Sequence, residues 1–164
     1  MEYRDPVMAS GKTGRVLVVD DVAVVRRSIR MILTDAGYEV VEAEDGEQAS
    51  AILQASGGAH PMDAILSDLR MPPVNGVDLI GYFRTHYPAI PVVVLASYSD
   101  VELAVALMRK GVMDFLMKPV LQGELLEVIG MAVAQDTARH ERVISYKELR
   151  HGGENMLRKS AGGG

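Results

Sequence analysis

Cysteine is absent from the chain. That excludes a disulfide framework, thiol catalysis and a cysteine zinc site. Long hydrophobic runs are also missing: none approaches the roughly 18 residues of a membrane helix. The N-terminus, Met1-Glu-Tyr-Arg-Asp5, lacks the basic and apolar regions of a signal peptide. A cytoplasmic location without membrane insertion is the expectation. Positive charge is not in excess. The formal net charge of −5 argues against nucleic acid as a direct partner. Gly11-Lys-Thr13 has the ending of a phosphate-binding loop, but Pro6 stands where that motif needs glycine. The stretch also precedes a strand instead of following one.

What is present is a chain of 164 residues, enough for one domain with a sizeable core. After a polar tail over residues 1–13, Arg15 to Val19 is a continuous β-branched and leucine run, as in a strand covered on both faces. Four more apolar runs read as strands: Tyr38 to Ala43, Met62 to Ser67, Pro91 to Leu95 and Asp114 to Met117. Helical patterns lie between them. The first places Val22, Val25, Ile29, Ile32 and Leu33 on one face and Arg26, Arg27 and Arg30 mainly on the other. It ends at Gly37. Asp45 can cap the second helix, which ends near Gly57-Gly58. The turn Met71-Pro-Pro-Val-Asn-Gly76 cannot continue as strand or helix. A third helix runs from about Val77 to Tyr87, and a fourth, capped by Asp100, reaches Lys110 before Gly111. A fifth begins near Gln122 and carries Leu125, Leu126, Ile129, Ala132 and Val133. Five strands alternating with five helices imply an α/β fold: a doubly wound parallel sheet with right-handed crossovers.

Ligands bind at the carboxyl edge of such a sheet, where strand order reverses. Asp20 and Asp21 follow the first strand, Asp68 the third and Lys118 the fifth. Taken singly, each has a plainer reading as a cap, loop or turn residue. Together, at strand ends of one periodic pattern, they converge on one rim. Crowded carboxylates call for a raised pKa or a bound cation. Oxygen ligands with open positions suit Mg²⁺. A carboxylate can itself be a nucleophile and form an aspartyl phosphate, and a lysine can neutralise phosphoryl oxygens.

The runs Val-Leu-Val-Val-Asp20-Asp21, Asp68-Leu-Arg-Met-Pro72 with Asn75-Gly76, and Phe-Leu-Met-Lys118-Pro119 make the chain resemble the receiver domain of two-component response regulators, over about residues 14–134. The resemblance implies a flavodoxin-like (βα)5 fold with the family's strand order, 2-1-3-4-5. It implies Asp68 as phosphoacceptor. Mg²⁺ would be held by Asp21, Asp68 and the backbone carbonyl of Arg70, with Asp20 acting mainly through water. Lys118 would pair with the phosphoryl group, and the bond before Pro119 would be cis. The donor would be a phosphohistidine on a sensor histidine kinase or phosphotransfer protein, with a small acyl phosphate as substitute. The receiver would be no enzyme beyond assisting its own phosphotransfer and dephosphorylation.

One departure stands out. The family's switch hydroxyl, Thr or Ser at the end of the fourth strand, falls on Ala96, with Ser97 one residue later. A one-residue shift turns a side chain to the opposite face, so a switch without that hydrogen bond is favoured over replacement by Ser97. Phe115 holds the place of the switch aromatic and is expected inward. Arg70 and Tyr98 hold the places that tune phosphoryl lifetime, and predict slow self-dephosphorylation; as plain solvated side chains they would not.

Residues 135–164 read as a helical extension and a glycine-rich tail, too short for a typical output domain. His140 and His151 lack metal-ligand neighbours and read as surface residues. Two functions remain. One is a phosphorylation-dependent switch acting on a downstream protein partner through the fourth helix, fifth strand and fifth helix. The other is a phosphorylation-independent interaction module with a degenerate switch. The sequence leaves homodimerisation open. A haloacid-dehalogenase-like phosphatase would want a second Asp where Arg70 stands.

Overall fold

The structure, a computed structural model, describes residues 14–56, 62–72 and 74–135. The expected N-terminal tail, the Gly57-Gly58 end of the second helix and the segment after residue 135, with His140 and His151, lie outside the described residues.

Among the described residues, seven strands and five helices follow one another. They are β1 Arg15–Val19, α1 Ala23–Asp35, β2 Glu39–Ala43, α2 Gly46–Ala55, β3 Ala64–Asp68, β4 Arg70–Met71, β5 Val74–Asn75, α3 Gly76–His86, β6 Val92–Ala96, α4 Val101–Arg109 and β7 Asp114–Met117, then α5 over residues 122–135. A 3₁₀ turn, Tyr98–Asp100, precedes α4. The main sheet is parallel throughout, in the order β2-β1-β3-β6-β7. Counting only its five strands, this is 2-1-3-4-5, the flavodoxin-like order. The two extra strands form a small antiparallel hairpin, Arg70 opposite Asn75 and Met71 opposite Val74. The turn expected over Met71 to Gly76 thus has paired flanks.

Strand periodicity divides the core in two. Leu17 and Val19 face the cluster built with α2, α3 and α4, including Leu53, Ile80, Phe83 and Leu107. Val16 and Val18 face the cluster built with α1 and α5, including Ile29, Leu33, Leu125 and Ile129. Strands β3 and β6 are buried along their whole length, which explains their unbroken apolar runs. The helix ends follow local chemistry. Asp45 accepts from the Gln48 N–H at 2.7 Å and starts α2. Gly37 and Gly111, with φ of 96° and 102°, turn the chain out of α1 and α4.

Three sequence expectations change. Arg26 is buried, not on the outer face of α1: it shares a stripe with Ile29 and Leu33. Val22 is 46% exposed and precedes α1. Asp100 stands at the start of α4 but makes no side-chain cap hydrogen bond.

Gly76 begins α3 where the backbone passes close to Leu69, so a Cβ there would overlap the Leu69 carbonyl. Gly81, exposed on the same helix, has open space around it. Gly76→Ala is therefore expected to lower stability by about 1–3 kcal/mol through overpacking. Gly81→Ala is expected to raise it by about 0.5–1 kcal/mol. Urea midpoints of the two variants against wild type check the opposite signs.

Candidate phosphoryl and metal site

The rim is made by strand ends. β1 delivers Asp20 and Asp21, β3 ends on Asp68, and β7 leads into Lys118. Parallel pairing sets Asp68 opposite Leu95 and Ala96 opposite Met117, so the ends lie level. The Lys118 N–H donates to the Ala96 carbonyl at 3.0 Å, one further rung of the β6–β7 ladder. The Lys118–Pro119 bond is cis, as the resemblance implied.

Lys118 Nζ donates to Asp68 Oδ2 at 2.7 Å and stands 3.3 Å from Asp20 Oδ2. Carboxylate oxygens of Asp20, Asp21 and Asp68 lie within 4.8 Å of one another. Asp20 is wholly buried and Asp68 nearly so, while Asp21 is exposed. Burial pushes the Asp20 carboxyl up, and the Asp68 charge adds to this; the Val22 N–H on Asp20 Oδ1 at 2.9 Å and the Lys118 ammonium oppose it. Burial works against the Lys118 charge, but the hydrogen bond to Asp68 and the two carboxylates together hold its pKa above the ordinary value.

The donor set fits Mg²⁺. Asp20 Oδ2 is buried and makes no hydrogen bond, facing the Lys118 ammonium at 3.3 Å as an ion pair only, which leaves a buried acceptor with lone pairs to spare for a cation. Three carboxylates beside one ammonium leave a formal charge of −2 (three negative, one positive). A hard divalent cation binding one or two carboxylates and several waters matches that site.

Two supports escaped the sequence reading. Arg26 Nη1 donates to the Asp20 carbonyl at 2.7 Å, and its Nε donates to Glu42 Oε1 at 3.1 Å, tying the end of β1 to α1 and β2. The signal was the three-and-four spacing of Arg26, Ile29 and Leu33. Asp100 is the other. Arg70 grips it with two hydrogen bonds of 2.8 Å, from Nε to Oδ2 and from Nη2 to Oδ1. These bonds hold the Asp100 carboxyl below its ordinary range and Arg70 above its own. No local pattern announces a pair thirty residues apart.

The remaining predicted residues gather around the rim. Ala96 is fully buried. Ser97 Oγ donates to Asp100 Oδ2 at 3.2 Å. Phe115 is half-buried against the core cluster that contains Ala96 and Ala104. The Arg70 N–H donates to Asp68 Oδ1 at 3.2 Å. Tyr98 is 86% exposed. Among the described residues, no helix is long and apolar enough to cross a membrane.

Comparison with known proteins adds lineage to this geometry. Residues 16–130 match the family described as response regulator receiver domain. The chain is 35% identical over 149 residues to the alginate biosynthesis transcriptional regulatory protein AlgB of Pseudomonas aeruginosa, covering 90% of this chain and 32% of that protein. It is 33% identical over 132 residues to the transcriptional regulatory protein FixJ of Bradyrhizobium diazoefficiens, covering 79% of this chain and 62% of FixJ. The chain thus spans less than two thirds of either regulator. A crystal structure of a response regulator receiver protein from Pseudomonas putida superposes with a TM-score of 0.64 at 39% identity, covering 71% of this chain and 95% of that one. Fold, rim and kinship agree: the chain belongs to the receiver domain family of two-component response regulators.

Proposed function

We propose that this chain is a phosphoacceptor of a two-component phosphorelay. An oxygen of Asp68 attacks the phosphorus of a phosphohistidine on a sensor kinase or phosphotransfer protein. The phosphorus–nitrogen bond breaks, its electron pair returns to the imidazole, and an aspartyl phosphate forms. The observation that carries this reading is the Lys118 ammonium between Asp68 and Asp20, beside carboxylate oxygens clustered within 4.8 Å. Lys118 neutralises phosphoryl oxygens, and the Arg70 N–H orients Asp68. Asp20, Asp21, Asp68 and the Arg70 carbonyl would hold Mg²⁺. When bound, Mg²⁺ offsets the negative charge of the phosphoryl oxygens. No activity on another substrate is assigned; the chain assists only its own phosphotransfer and dephosphorylation.

The phosphoryl group biases a binding surface on α4, β7 and α5. Exposed Leu103, Val105 and Met108 on α4, and Met131 on α5, support a protein partner there, either a downstream target or a second copy of this chain. Arg70 and Tyr98 screen the aspartyl phosphate from attacking water and lengthen its life. The cytoplasm, where a sensor kinase presents its phosphohistidine, is the proposed location. A second reading, an interaction module indifferent to phosphorylation, is favoured only by Ala96, which has no hydroxyl. The complete acidic rim weighs against it.

Intact mass after incubation with Mg²⁺ and acetyl phosphate tests the first reading. Wild type is expected to gain one phosphoryl group and Asp68→Asn none; no gain by wild type, together with no binding of beryllofluoride, favours the interaction module. Mg²⁺ binding has its own readout. At a hundredfold excess over its dissociation constant, Mg²⁺ should stabilise wild type by about 2.7 kcal/mol. Asp20→Asn should lose most of that gain, as measured by thermal midpoints with and without the ion.

A further inference from the structure

The end of β6 has no hydroxyl with which to sense a phosphoryl group. Ala96 offers only a methyl, and the Ser97 hydroxyl is committed to Asp100. The structure contains a different link between Asp68 and α4. Arg70 is two residues beyond Asp68 and is fixed beside it through its own N–H on Asp68 Oδ1. Its guanidinium reaches across to Asp100, the last residue of the 3₁₀ turn and the first flank of α4. The two partners differ in freedom. The Arg70 side chain is 68% exposed, whereas that of Asp100 is 5% exposed. The cation can swing through solvent, while the carboxylate is covered with Arg70 in place and draws both guanidinium bonds from it.

We propose that Arg70 is a second phosphoryl-binding side chain, held in reserve by Asp100, and that its transfer to phosphorylated Asp68 loosens the start of α4. This rests on the phosphoacceptor reading and supplies the coupling that Ala96 cannot. An aspartyl phosphate carries more negative charge than a carboxylate and offers several acceptor oxygens. Guanidinium binds such a group in the same two-pronged manner as it binds Asp100. The exchange trades like bonds for like, and the extra phosphoryl charge tips it. Asp100 then keeps one hydroxyl partner, Ser97, and loses the two guanidinium bonds that tie the start of α4 to the loop after β3. Asp100 provides no cap hydrogen bond, so its side chain serves this end of α4 through the Arg70 pair and Ser97. The movement displaces Leu103 and, with it, the exposed apolar face of α4.

Beryllofluoride with Mg²⁺ is the probe, read in two ways on the full chain. Fluorine NMR reports binding, and amide hydrogen exchange over residues 100–104 reports the start of α4. In wild type, bound beryllofluoride is expected to speed exchange there by about tenfold, the scale of a lost charge-assisted hydrogen bond. Asp100→Asn should exchange fast without the probe, respond little to it, and bind it more tightly because Arg70 is already released. Arg70→Gln should also exchange fast but bind it more weakly. Bound probe in wild type with unchanged exchange overturns the transfer, as does an Asp100→Asn that behaves like wild type. No bound fluorine resonance in wild type overturns the phosphoacceptor reading itself, and the transfer with it. If a variant fails to fold, the wild-type comparison still decides.

Discussion

The structure turns on one cation among crowded anions. Lys118 lies between Asp68 and Asp20 at the carboxyl edge of the sheet. Without it, two nearly buried carboxylates would face each other with little to offset their repulsion. Its position follows from β7 lying level with β6 and β3, so the central strands must register before the site can exist. That register comes from apolar strands buried on both faces, where a slip by one residue would exchange the two cores. The acidic rim is thus a product of packing: hydrophobic burial elsewhere holds like charges close enough to share a metal ion.

The rim has a frame of arginines. Arg26 reaches under β1 to the Asp20 carbonyl and out to Glu42. Arg70 reaches over the site to Asp100. Both use the planar, multi-donor guanidinium to bridge elements that the sheet hydrogen bonds do not join. Lysine in either place would supply charge without the two-pronged geometry. The difference between them is exposure. Arg26 is buried and suits a fixed support; Arg70 is largely in solvent and suits exchange between partners.

Ala96 marks where this receiver departs from its family's pattern. Its methyl sits in the core cluster that also holds Ala104, with Phe115 half-buried against the same cluster. Small side chains there leave the aromatic packed against the sheet without a polar neighbour on Ala96. The polar contacts of this region pass instead through Ser97 and Asp100, one turn further along the chain. The loop after β3 and the start of α4 are therefore joined through a single carboxylate, Asp100.

Much of this was legible in the sequence because it depends on local pattern. Five apolar runs, alternating with amphipathic segments, determine a parallel sheet covered on both faces. Asp20, Asp21, Asp68 and Lys118 were readable because the strands that carry them end just before or at them, and strand ends of such a sheet share one edge. The small hairpin of β4 and β5 was not readable: two prolines in the sequence argue against pairing there, yet Arg70 and Met71 pair with Asn75 and Val74. Arg26 and Asp100 were misassigned because periodicity and capping preferences weigh charged residues as solvent-facing or local. A buried ion pair is decided by its partner, and Glu42 and Arg70 lie sixteen and thirty residues away. Sequence alone determined which residues stand at the rim; the tertiary structure decided which charges meet, because electrostatic pairing is set by distance in space and not by spacing along the chain.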